Sequence, residues 1–305
     1  MTRMTRERFL IRMLACTLCL MMAATGAMGQ DSEKTQKAKE AYNQGIKFMQ
    51  EGNAEAAITS YQAALNFDAD FAPTYLNLGA IYFEQKSYDQ ALDMFKKACE
   101  KDPKNADAFA NLGRVQYKLK RQVEAEASFK AALEIKSDDT SLLNELAKVY
   151  MAQNKYTNAI PVLTKSHDLG GGNEDTYYWL GRALRKEGST NEAIAALRKS
   201  IEIEAANYSA LFALGQIYDS QKKYTEAAAN YKKAMNADAK RGHKAAFNYA
   251  IAVEMSNPED YPTHIANWQS YVKMAKGVPT AKSSVAEAKS HIEELKKAQE
   301  HAELQ

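Results

Sequence analysis

Residues Ala72–Asn105, with the sequence APTYLNLGAIYFEQKSYDQALDMFKKACEKDPKN, contain the pattern that decides the fold of this chain. In the first half, Tyr75, Leu78 and Tyr82 recur at the spacing of residues on one helix face. Small and apolar residues recur in the same way in the second half, and Pro103 then ends the helical pattern. The stretch therefore predicts two short helices joined by a turn.

The same pattern returns every 34 residues along most of the chain. One position is always alanine, at Ala57, Ala91, Ala125, Ala159, Ala193 and Ala227. A second position holds a small residue, at Gly45, Gly79, Gly113, Ala147, Gly181 and Gly215. A third holds a large apolar residue, at Tyr61, Phe95, Phe129, Leu163, Leu197 and Tyr231. A fixed period of this length indicates a stacked array, in which each unit buries its apolar face against its neighbours.

The spacing resembles that of the tetratricopeptide repeat family. The unit quoted above fills every signature position, with Tyr75, Leu78, Gly79, Tyr82, Tyr88, Ala91, Phe95, Ala98 and Pro103. The resemblance implies an all-α fold, a right-handed superhelical solenoid of antiparallel helix pairs. It places six repeats at 38–71, 72–105, 106–139, 140–173, 174–207 and 208–241, a degenerate seventh at 242–277 and a C-terminal capping helix at 278–305. Ser284 and Glu287 have the spacing of a capping box for that helix.

The first 29 residues have the pattern of a secretory signal peptide. A basic head with four arginines precedes an apolar stretch at residues 13–24, and Ala27 and Gly29 are the small residues expected before a cleavage site. The alternative is an uncleaved anchor, although about 20 apolar residues are needed to span a bilayer. Cleavage would leave Gln30 first and would remove four arginines and one glutamate, changing the formal net charge from +2 to −1. Residues 30–37 are then a polar segment that we expect to fray.

The sequence predicts an exported, non-enzymatic protein that is periplasmic or secreted, or associated with the outer membrane. After cleavage we expect no transmembrane span, and the near-zero net charge argues against nucleic-acid binding. The five histidines do not form a metal-binding motif and are interpreted as solvated, and no catalytic or cofactor-binding pattern is found. Cys99, the one cysteine left after cleavage, is interpreted as a small packing residue. Gly170–Gly172 is interpreted as a looser joint after the fourth repeat.

In the tetratricopeptide repeat family, which this sequence resembles, peptides lie along the concave surface made by the first helix of each repeat. The resemblance places eleven candidate peptide-binding residues there: Asn77, Asn111, Arg114, Tyr117, Lys118, Lys148, Tyr178, Trp179, Arg182, Arg185 and Lys186. Cations beside aromatic rings suit an acidic peptide or a free carboxylate. Asn77 and Asn111 resemble the start of the asparagine ladder of O-linked N-acetylglucosamine transferase repeats. The alternative is that the long basic side chains only solvate this surface, paired with residues such as Glu145.

Three functions remain open from the sequence. The leading hypothesis is a scaffold that binds a protein or peptide segment in its groove. The second is a structural protein that self-assembles into homo-oligomers. The third is a periplasmic accessory of outer-membrane assembly or polysaccharide export.

Overall fold

The computed structural model describes residues 33–304, and all regular secondary structure in this range is helical. The α-helices are α1 (33–50), α2 (Ala54–Phe67), α3 (Ala72–Glu84), α4 (Tyr88–Lys101), α5 (Ala106–Lys118), α6 (Gln122–Ile135), α7 (Thr140–Ala152), α8 (Tyr156–Ser166), α9 (Glu174–Lys186), α10 (Thr190–Ile203), α11 (Tyr208–Ser220), α12 (Tyr224–Ala237), α13 (Gly242–Ser256), α14 (Tyr261–Met274) and α15 (Lys282–Glu303). The all-α class is thereby confirmed. The proposed signal peptide at residues 1–29 lies outside the described residues.

The contacts among these helices divide the chain after Ser137 into two compact units. In the first unit α3 packs against α4 and α5 against α6. In the second unit the pairs are α7 with α8, α9 with α10, α11 with α12 and α13 with α14, and α15 packs against α14. Because short turns join the partners, the two helices of a pair run antiparallel, as the repeat pattern predicts.

The turn inside each of the first six pairs, from α1/α2 to α11/α12, has a left-handed residue at a fixed position that the sequence pattern did not reveal. These residues again lie 34 apart: Gly52, Lys86, Lys120, Asn154, Gly188 and Lys222, with φ between 59° and 88°. A left-handed backbone costs an ordinary residue about 1 kcal/mol or more, whereas glycine adopts it readily. Gly52, Gly188 and Asn154 were the signal in the sequence, and three lysines obscured it.

In five of the helix pairs the glycine of the small ladder packs against the large apolar residue of the other helix. A Cβ added to Gly79 would lie 2.6 Å from Cε1 of Phe95, and one added to Gly45 would lie 2.4 Å from Cε1 of Tyr61. The ring from the second helix therefore occupies the space that a side chain on the first helix would need. In the fourth repeat Ala147 replaces the glycine, and the smaller Leu163 replaces the ring.

Two expectations about local structure were wrong. Residues 33–37 are helical rather than frayed, because α1 extends through them and Ala38 is fully buried behind them. Ser284 does not begin a capping box, because α15 starts at Lys282. The Ser284 hydroxyl instead donates to the Ala281 carbonyl and lies 2.7 Å from the Tyr271 hydroxyl.

The glycine run after α8 forms a turn and also packs closely against the start of α7. A π-helical turn covers His167–Gly171, and Gly170 has φ of +80°. A Cβ on Gly171 would lie 2.1 Å from Cβ of Thr140, so only glycine fits against the start of α7. The Thr176 hydroxyl also donates to the Gly171 carbonyl. The interpretation of this run as a looser joint was therefore incomplete, since Gly171 packs directly on α7.

A polar network joins the last three helices. The Trp268 indole on α14 donates to the Glu254 carboxylate on α13 at 2.9 Å, and His291 Nε2 on α15 lies 3.0 Å from that carboxylate. The Glu294 carboxylate lies 3.6 Å from His291 Nδ1. Burial raises the pKa of Glu254, but the bonds from Trp268 and His291 outweigh it, so this pKa lies below its ordinary value. The charged carboxylate therefore stabilises the packing of α15.

Replacing Glu254 with glutamine should destabilise the C-terminal helices by about 1–2 kcal/mol at neutral pH, since a neutral amide oxygen accepts these bonds more weakly than a carboxylate does. The native pKa is lowered, so this stabilisation is present above the unfolded pKa and is lost as pH falls through the folded pKa. Urea unfolding of both proteins from pH 7 to pH 3 should show the difference shrinking in acid. The exposed Glu259→Gln is the matched control. A Glu254→Gln difference that stays constant to pH 3 would refute the assignment.

Candidate functional site

The candidate residues of the second unit lie on adjacent first helices of successive pairs. Helix α9 contacts α7 on one side and α11 on the other. Lys148 lies on α7, and the other five lie on α9: Tyr178, Trp179, Arg182, Arg185 and Lys186. The repeat pattern produces this arrangement, because each pair contributes its first helix to the same row.

Arg182 and two aromatic rings form the centre of this surface. The Arg182 guanidinium carbon lies 5.0 Å from the Trp179 ring centroid and 5.6 Å from that of Tyr178. The two ring centroids are 5.0 Å apart. All three side chains are half-buried. Stacking on the rings holds the guanidinium in place, so its N–H groups can meet a ligand with little loss of conformational entropy.

The other cations differ in how far they are neutralised. The Lys148 ammonium lies 3.8 Å from the Glu145 carboxylate. For this lysine the structure therefore agrees with the alternative interpretation, in which the basic side chains pair with residues such as Glu145. Arg185 donates to the neutral Gln216 side chain of α11 at 2.8 Å. Within residues 33–304, Arg182, Arg185 and Lys186 form no ion pair with a carboxylate. Among the described residues of this surface, the cations that no carboxylate pairs with are therefore concentrated in the second half of α9.

Three of the five candidate residues of the first unit are bonded to other side chains of their own unit. The Asn77 amide donates to the hydroxyls of Tyr42 and Tyr61, at 3.1 Å and 3.2 Å. The Arg114 guanidinium donates to the side-chain amide oxygen Oδ1 of Asn111 at 2.9 Å. These amides position neighbouring side chains, which leaves less of their hydrogen-bonding capacity for a peptide backbone. Tyr117 is half-buried and Lys118 is exposed beside them.

Asn77 also borders an apolar groove that the sequence analysis did not single out. The groove encloses about 450 Å³ between α1 and α3, and its lining includes Ile46, Met49, Ala80 and Ile81. The Met49 side chain is 42% exposed there. The sequence signal was the run of apolar residues at the inner positions of the first two repeats.

The sequence predicted that all five histidines are solvated, and this prediction is wrong for His264. His264 is fully buried, and its Nε2 donates to the Asn257 carbonyl at 2.8 Å. His167 Nδ1 lies 2.8 Å from the Tyr177 hydroxyl. No group of three or more potential ligands that could hold a metal ion occurs in the described part of the chain.

Cys99 is buried against the core of the second repeat. Burial raises the pKa of its thiol to about 12, so the reactive thiolate is scarce at neutral pH. Cys99 is a packing residue, as the sequence predicted. Between residues 33 and 304, none of the helices combines the length and apolar character that crossing a bilayer requires.

Family models match the chain in the repeat region. The model described as TPR repeat matches residues 45–86 and 79–120, and the model described as tetratricopeptide repeat matches 106–139. The model of anaphase-promoting complex, cyclosome, subunit 3 matches residues 152–234. The chain is a tetratricopeptide repeat protein. Its helix pairs are tetratricopeptide repeats, and the ring-on-glycine contact described above occurs in four of the six repeats.

Solved structures of other proteins, tetratricopeptide repeat proteins among them, are similar to this one. One from Parabacteroides merdae has a TM-score of 0.60 at 15% identity, covering 83% of this chain and 99% of that chain. Pseudomonas aeruginosa pilF has a TM-score of 0.60 at 18% identity, covering 72% and 97%. YrrB, described as having an unusual peptide-binding site, has a TM-score of 0.52 at 22% identity, covering 58% and 92%. A comparison of the sequence with curated proteins returns no match.

Proposed function

We propose that this tetratricopeptide repeat protein is a non-enzymatic, exported scaffold that binds a peptide segment of a partner protein on the surface of α7, α9 and α11. The segment is acidic or ends in a free carboxylate. The single observation that carries the proposal is Arg182, which stacks on Tyr178 and Trp179 without a carboxylate partner among the described residues. YrrB, which has a similar fold and is described as having a peptide-binding site, supports a peptide-binding function for this protein.

The chemistry of this surface favours an anion with apolar neighbours. A guanidinium binds a carboxylate through two parallel N–H donors, and such a charge-assisted bond contributes about 1.5–3 kcal/mol. Arg185 and Lys186 add positive charge one turn along α9. Two or three such bonds, with contact to the Tyr178 and Trp179 rings, are enough for micromolar affinity, which corresponds to about −8 kcal/mol.

A labelled peptide of alternating glutamate and leucine with a free C-terminal carboxylate tests the proposal. We expect micromolar binding by fluorescence anisotropy at low salt, weakening steeply as added salt screens the charges. The matched controls are a lysine–leucine peptide and the same acidic peptide with an amidated C-terminus. Equal binding of the acidic and basic peptides would contradict the proposal, and the amidated peptide separates side-chain from terminal carboxylate recognition.

Light scattering at increasing protein concentration tests the alternative of self-assembly. A scaffold for a partner segment should keep a constant molar mass over the concentrations used in the peptide assay. A molar mass that grows with concentration, without peptide binding, would favour the structural role instead.

Export is part of the proposal and has its own test. The basic head, the apolar stretch and the small residues at Ala27 and Gly29 support cleavage after Gly29. Mass spectrometry of the protein from its native host should find Gln30 as the first residue. Recovery of a chain that retains residues 13–24 would overturn export by cleavage.

A further inference from the structure

The C-terminal end of the second unit contains a cavity far along the chain from the surface on α9. It encloses about 630 Å³ between the end of α14, the turn at residues 275–281 and the start of α15. Its apolar wall includes Val272, Val278 and Val285, all half-buried. A volume of this size is typical of sites for small ligands.

Four lysines surround this apolar wall. Lys273 and Lys276 come from the end of α14 and the following turn, and Lys282 and Lys289 come from α15. No acidic residue lines the cavity. In the described part of the chain none of these lysines forms an ion pair, whereas Lys296 on the same helix pairs with Glu293 at 2.7 Å. The cavity therefore has a concentrated positive charge that the protein itself does not neutralise.

The charge and the apolar wall of the cavity together restrict the kind of ligand that fits. An apolar wall with cations at its edge matches a ligand that has an apolar body and a negative head. A neutral apolar ligand would leave the lysines uncompensated.

We infer that this cavity binds a small amphipathic anion, a carboxylate attached to an apolar chain. The apolar chain packs on the three valines, and the carboxylate lies among the lysine ammonium groups. The basic head of the chain's own N-terminal segment, with its four arginines, has the wrong charge to occupy this site. Charge complementarity and the size of the cavity thus select the ligand class.

Isothermal titration of the full chain with dodecanoate tests the inference. We expect saturable binding of one dodecanoate, with octanoate at least about tenfold weaker because four fewer methylenes are buried. Dodecyltrimethylammonium, which has the same chain and the opposite charge, should not bind. Equal binding of the anionic and cationic amphiphiles, or no binding of dodecanoate, would overturn the inference.

Two matched variants locate the site. Lys273→Gln/Lys289→Gln should weaken dodecanoate about five- to tenfold, as expected for two partly exposed ionic contacts. Lys232→Gln/Lys297→Gln makes the same change in net charge outside the cavity and should leave binding unchanged. Circular dichroism checks that both variants fold. Equal weakening by both variants would show a general charge effect and refute the site.

The outcome is independent of peptide binding on α9. Arg182→Glu/Arg185→Glu should leave dodecanoate binding intact, because those residues lie outside the cavity. In the same variant, the glutamate–leucine peptide should not displace dodecanoate. If the peptide does displace dodecanoate and binds the cavity more tightly than dodecanoate does, the ligand is a peptide and the small-ligand assignment is wrong.

Discussion

Ala91→Leu is expected to lower the melting temperature by about 2–10 °C, since overpacking a filled core costs about 1–3 kcal/mol. Ala91 is fully buried on α4, in a cluster with Phe95 and Leu112. Leucine and alanine are both good helix formers, so the loss would come from packing and not from helix propensity. Thermal and urea unfolding followed by circular dichroism measure it.

The control for this variant lies one residue away on the same helix. Gln90 is exposed, and Gln90→Leu should change the melting temperature little. An Ala91→Leu protein as stable as Gln90→Leu would mean that the contact between α3 and α4 has room for a large side chain. The role assigned to the alanine ladder would then be wrong.

Arg182→Glu/Arg185→Glu should weaken the acidic peptide at least about a hundredfold, or roughly 3 kcal/mol, while leaving the helical content unchanged. Two charge-assisted donors are removed, and two carboxylates then repel the ligand. Both side chains are only half-buried, so the fold tolerates their replacement. Fluorescence anisotropy with the labelled glutamate–leucine peptide gives the affinity, and circular dichroism gives the helicity.

A second double reversal separates local from global charge. Lys96→Glu/Lys232→Glu changes the net charge by the same amount at two exposed positions on α4 and α12. This control should bind the peptide almost as well as the natural protein, with a small loss that added salt removes. If the α9 variant binds normally, the peptide site lies elsewhere on the protein.

Much of the fold was predictable because its determinants are local and periodic. The spacing of Tyr75, Leu78 and Tyr82 specifies a helix, and the 34-residue period specifies how often the helix pair recurs. The candidate surface was partly predictable for the same reason. Tyr178, Trp179 and Arg182 lie on one helix, and helical spacing alone brings them together.

The remainder depends on contacts between residues far apart in the chain. The sequence shows Gly79 and Phe95 as two separate ladders, and only the packed pair of helices shows that the ring occupies the space of the missing side chain. Similarly, nothing in the spacing of Asn77 indicates that its amide binds Tyr42 and Tyr61.

The sequence by itself determined the helices, their pairing and the row of first helices, because periodic burial of small and large residues is a local property. Only the tertiary structure decided which polar groups are satisfied within the protein and which remain free for a ligand. In the folded protein His264 is buried, and Glu254 bonds with Trp268 and His291. Four unpaired lysines of the described residues line one apolar cavity. Such groupings arise when separate helices pack, and their energies depend on distances that no sequence spacing specifies.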